Sequence, residues 1–101
     1  MAEVLTIEEL RSRIDVIDEQ LLRLLNVRVA CAVEVGRLKH EAGLPIYQPE
    51  REAQVLGRVR RSATDLSGPL TAEAVVRIFE RIIDEARRAE REASSRRDDL
   101  T

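Results

Sequence analysis

Charged residues stand where the hydrophobic pattern of this chain calls for apolar ones, and these are the residues able to do chemistry. An apolar stripe runs through Leu10, Ile14, Ile17, Leu21 and Leu24 at alternating four- and three-residue spacing, the period of one helix face. The next position of the stripe holds Arg28. Lys39 follows eleven residues later, about three turns on and roughly 20° round the axis, so both cations project from nearly one face. A second stripe, Phe79, Ile82 and Ala86, leads in the same way to Glu90. Burying an unpaired charge is costly, so each needs a buried ion pair, an escape to the helix end, or a bound small anion. Lys39 is also the one lysine among 17 basic residues.

Arg11 fits the bound-anion idea in another way. It lies about 26 Å along the helix from Arg28 and roughly 100° round it, so one chain cannot bring both to one small ligand. In an antiparallel dimer, Arg11 of one subunit can approach Arg28 of the other. Taken alone, Arg11 reads as a solvated first-turn charge. Further on, Gln48 stands at an expected helix cap with Arg51 and Glu52 just inside it, where backbone N–H groups also face outward. His40 reads as an exposed helix residue and Cys31 as a small core residue. There is no Ser/His/Asp set, no glycine-rich phosphate loop and no metal-ligand spacing. Chemistry here is therefore expected to proceed without a nucleophile, cofactor or metal.

Three helices must position these groups. Thr6 and Glu9 form a capping box, and the segment from Thr6 to about Ala42, stopped by Gly43 and Pro45, is roughly 36 residues or about 54 Å long. A compact domain of this size has a radius of gyration of about 13 Å and cannot enclose such a rod. The economical partner for its far end is a second copy of the chain, so a homodimer is expected. Pro49 opens a second helix to about Ser62, with Val55, Leu56 and Val59 on its apolar face. Residues 62–69 read as a loop, and Thr71 caps a third helix carrying Val75, Phe79, Ile82, Ile83 and Ala86. No strand pattern competes. The expected fold is all-α, with one domain over residues 1–90 and a polar, flexible tail over 91–101.

Composition narrows the class. The 101 residues suffice for one small domain, and 44% are hydrophobic, enough to bury a core. Aromatics are 2%, so Leu, Ile, Val and Ala must build that core. A net charge of -2 argues against a nucleic-acid binder, which would show a basic excess. The single cysteine gives no internal disulfide, and the apolar runs are far short of a membrane span. A cytoplasmic location without membrane or nucleic-acid partners is the expectation.

The segments LRSRIDVIDEQLLRLLNVR (10–28), AVEVGRLK (32–39), PIYQPERE (45–52) and RIFERIIDEARRAE (77–90) together resemble the all-helical, AroQ-class chorismate mutases. The resemblance covers residues 6 to 90 and has Arg11, Arg28, Lys39, Arg51 and Glu52 in register. It implies an intertwined three-helix homodimer of aromatic amino acid biosynthesis that rearranges chorismate to prephenate by a [3,3] shift. By the same resemblance, Arg28 and the partner's Arg11 clamp the substrate carboxylates, with Arg51 in the polar wall. Lys39 points at the ether oxygen, Glu52 accepts from the ring hydroxyl, and Val35 and Leu38 form the apolar wall. Three positions depart from the best-known motif. Gln48 stands where aspartate is frequent, Ala86 where a serine can touch a carboxylate, and Glu90 where a glutamine donates to the ether oxygen. An ionised Glu90 would repel the developing oxyanion, so it is expected to work protonated, with its pKa raised by burial and by the substrate's charges. The resemblance leaves open a 4-amino-4-deoxychorismate mutase, an isochorismate pyruvate-lyase or a non-enzymatic dimerisation module. It also leaves open activation by a partner enzyme of the shikimate pathway.

Overall fold

The structure is a computed structural model and describes residues 4–99. Three helices follow in order: α1 (Ile7–Ala42), α2 (Pro49–Asp65) and α3 (Ala72–Asp99). The start of α1 is fixed by the expected capping box: Thr6 Oγ1 accepts from the Glu9 amide at 3.1 Å, and the Glu9 carboxylate accepts from the Thr6 amide at 2.9 Å. Gly43 ends the helix at φ 69°, in the left-handed region that glycine enters without a Cβ penalty.

The helix α2 continues past Ser62, three residues into the stretch expected to be loop. The Thr64 hydroxyl donates to the Arg60 carbonyl at 3.1 Å, and the Leu66 amide closes the helix on Ser62 O at 2.8 Å. Both bonds satisfy groups that composition alone would assign to a turn. Thr71 caps α3 as expected, its Oγ1 accepting from the Ala74 amide at 3.1 Å. The end of α3 is the larger difference, because residues 91–99 of the expected tail are helical and 100–101 lie outside the described residues. Arg91, Glu92, Ala93, Arg96 and Arg97 are good helix formers, and Glu92 pairs with Arg96 at 3.9 Å. An apolar period is not required for such an end. Glu90 consequently sits in the helix body instead of at a fraying terminus.

α3 is the central packing element, touching both other helices. It runs parallel to α1, since Arg28 lies over the Phe79 ring and Gly36 lies against Glu90. It runs antiparallel to α2, joined by Arg60–Glu73 at 3.1 Å near one end and Glu52–Arg87 at 2.7 Å near the other. Val55, Val59, Ile83 and Ala86 form the buried centre, as the α2 and α3 stripes require. The first half of α1 finds no such cover within the chain: Leu21 and Leu24 remain 51% and 66% exposed. The radius of gyration is 17.9 Å and the long dimension 64 Å, far more extended than a compact domain of this length. Among the described residues, no helix is long and apolar enough to cross a membrane.

Candidate active site

Where the second half of α1 meets the start of α2 and the body of α3, the chain leaves a cavity of about 250 Å³. Eight of the ten expected site residues line it: Arg28, Val35, Lys39, Gln48, Arg51, Glu52, Ala86 and Glu90. Arg28 and Lys39 thus stand on one wall, as their helical register requires. Arg11 is exposed on the distant half of α1 and does not reach this cavity within the chain.

Each helix presents its groups for a local reason. Gln48 caps α2 through its carbonyl, which accepts from the Glu52 amide at 3.3 Å, while its side chain makes no capping bond. The side-chain amide is thereby free to face the cavity it lines. Lys39 lies one turn before the end of α1, and its Nζ donates to the Ile46 carbonyl in the following loop at 3.5 Å. Ala32, Val35, Ile46, Val55 and Ile83 supply the apolar lining. Leu38, expected in that wall, is 51% exposed and faces away, because it sits about 100° from Lys39 on the helix. Cys31 is likewise exposed and on the cavity rim, since no element of this chain covers that side of α1.

Arg87 is the group that sequence reasoning missed. It lines the cavity, its Nη2 donates to Glu52 Oε1 at 2.7 Å and to Asp84 Oδ1 at 3.2 Å, and its guanidinium lies 5.5 Å from the Tyr47 ring centroid. The Nε is buried and makes no hydrogen bond. Its position one turn before Glu90 was the available signal, because residues three apart share a helix side. Its pairing with Glu52, 35 residues away, is a fact of tertiary packing.

The charge of the cavity follows from these groups. Four cations (Arg28, Lys39, Arg51, Arg87) face two carboxyl groups (Glu52, Glu90), leaving two net positive charges when both carboxyls are ionised. Burial pushes the Glu90 carboxyl above the ordinary glutamate range; Lys39 and Arg87 pull against that shift, and Glu52 adds to it. Protonating Glu90 makes the cavity more positive still.

The chain is thus an all-helical scaffold holding a small, cation-rich cavity. The chain belongs to the chorismate mutase type II family, which matches residues 10–91. Among sequences it is similar to the bifunctional chorismate mutase/prephenate dehydratase of Aquifex aeolicus, 42% identical over 78 residues, covering 76% of this chain and 22% of that protein. The chain thus spans less than a quarter of the length of the curated relatives it matches first. Among solved structures it resembles chorismate mutase (form II) from Thermus thermophilus, with TM-score 0.77 and 33% identity over 84% of this chain and 93% of that one. It also resembles chorismate mutase from Helicobacter pylori in complex with prephenate, with TM-score 0.76 and 28% identity over 88% and 93% of the two chains.

Proposed function

We propose that this chain rearranges chorismate to prephenate, acting as a homodimer in the cytoplasm. The observation that carries the reading is the charge of the cavity: a wall with at least two net positive charges suits a substrate bearing two carboxylates. The Helicobacter pylori relative, whose structure holds prephenate, supports the same ligand class.

The reaction is unimolecular, so the site has to hold one conformer and stabilise charge where it develops. Arg28 binds one end of the dianion, with Arg51 in the polar wall of the same cavity. The uncovered leucine stripe of α1 seats against the second copy, which brings its Arg11 to the other carboxylate. Lys39 faces the ether oxygen as the C–O bond stretches and negative charge builds there. A fixed cation at that point favours the transition state over the ground state. Glu90 donates to the same oxygen when protonated. Gln48 and Glu52 hold the ring hydroxyl, and Val35 and Ala86 belong to the wall that limits water. Bond making and breaking are concerted within the substrate, so no protein group is covalently modified.

The test is the loss of chorismate absorbance with purified protein, with the product identified by chromatography. Saturable formation of prephenate is expected. No turnover of chorismate would overturn the reading, and 4-amino-4-deoxychorismate and isochorismate would then be tried in the same assay.

A further inference from the structure

The polar groups of the cavity are mostly cations, yet the carboxylate that α2 contributes, Glu52, does not stand alone. Arg87 Nη2 donates to Glu52 Oε1 at 2.7 Å, with the Glu52 side chain only 25% exposed, so one carboxylate oxygen is committed. Asp84, on the same face of α3, takes a second bond from the same nitrogen at 3.2 Å, and the Tyr47 ring packs over the guanidinium. These three contacts reach α2, α3 and the loop between α1 and α2, so Arg87 cannot swing away without breaking all of them.

We propose that Arg87 is a specificity-determining positioning residue, which by pairing with Glu52 makes this end of the cavity accept a neutral hydroxyl and reject an ammonium. This assignment rests on the function proposed above, in which Glu52 meets the ring substituent of the substrate.

An unpaired Glu52 would have the opposite preference. A lone carboxylate in a part-buried cavity attracts a cation more strongly than a neutral donor. It would favour the 4-amino analogue, whose alkyl amine is protonated at neutral pH as a lysine is. The Arg87 guanidinium cancels that preference in two ways. It neutralises the charge of Glu52 at contact distance, and it places a like charge beside any incoming ammonium. It also offers only donors, which a hydroxyl oxygen can accept from and an ammonium cannot. The free oxygen of Glu52 still accepts from a hydroxyl, now held in a fixed orientation.

The test compares kcat/KM for chorismate and for 4-amino-4-deoxychorismate in the wild-type dimer and in Arg87→Met, Arg87→Gln and Arg87→Lys. Removing the charge, in Met and Gln, is expected to raise the amino-to-hydroxy ratio about tenfold, the scale of one charged hydrogen bond. Arg87→Lys keeps the charge and is expected to keep the wild-type ratio even where absolute rates fall through lost contact with Tyr47. A ratio unchanged within twofold in a folded, charge-free variant would overturn the proposal. Arg87→Gln supplies that variant if Arg87→Met does not fold, since it retains a donor to Glu52. If wild type turns over neither substrate, it is the functional reading that fails, and the two failures are distinct.

Discussion

Gly36 and Glu90 face one another across the α1–α3 contact so closely that a methyl group at Gly36 would stand 3.3 Å from Glu90 Oε2. Gly36 is the one buried residue of α1, and its missing side chain is the space into which the carboxyl folds. Its φ is ordinary for a helix, so the glycine is explained by close approach and not by backbone conformation.

Gly36→Ala separates the two consequences of that approach. A mid-helix alanine in place of glycine stabilises by about 0.5–1 kcal/mol, while the contact with Glu90 must give by a few tenths of an ångström. The melting temperature is expected to hold or rise while kcat for chorismate falls about fivefold, the effect of a small displacement of a reacting group. Thermal unfolding and steady-state kinetics on one preparation check this. A fall in Tm with unchanged kcat would contradict it.

The proposed role of Glu90 predicts a pH dependence. Its carboxyl lies above the ordinary range through burial, against the opposing pull of Lys39 and Arg87, and two bound carboxylates raise it further. In the proposed mechanism only the protonated form donates to the ether oxygen, so kcat is expected to decline as pH rises through that raised pKa. Glu90→Gln, which donates at every pH, should flatten the profile. A wild-type profile level from acid to mildly alkaline pH would remove Glu90 from the mechanism.

Stability responds to the same group with a definite sign. A carboxyl whose folded pKa exceeds the unfolded value binds its proton more tightly when folded. Its contribution is therefore fully present below 4.5 and is lost as pH rises through the folded pKa. Urea midpoints at acid and at alkaline pH are expected to show wild type losing ground to Glu90→Gln at the higher value. An equal gap at both would show that Glu90 is not perturbed in the folded state.

Arg11 and Arg28 offer a test of the shared site. Arg11→Ala and Arg28→Ala should each lower kcat/KM by about ten- to a hundredfold while the dimer persists by light scattering, because in the proposed site each removes a charged contact to substrate. Mixed after unfolding and refolding, they form heterodimers in which one of two sites has both arginines. Random pairing then restores about a quarter of wild-type activity. No recovery would show that Arg11 is not supplied to the site across subunits.

How far the site was legible depends on which physical rule placed each residue. Thr6 with Glu9 marks a helix start, and Arg28 with Lys39 share a face, because both patterns are local and obey the helical period. Glu90 stood out as a break in the α3 stripe for the same reason. Arg87 did not, since its meaning comes from Glu52 on another helix and Tyr47 in a loop. Hydrophobicity alone points Cys31 and Leu38 inward, but α1 has more apolar residues than this single chain covers. The end of α3 escaped notice because charge pairs and propensity, not an apolar period, carry it to Asp99.

The bare leucine stripe on the first half of α1 has a consequence for handling the protein. If only a second copy covers it, folding is coupled to association, and mass action governs both. The melting temperature then climbs with protein concentration, and turnover per molecule drops on dilution as half-built sites separate. Rates measured on the monomer side of that equilibrium would describe a different population from those measured on the dimer side. A dilution series is therefore part of any kinetic constant assigned to this chain.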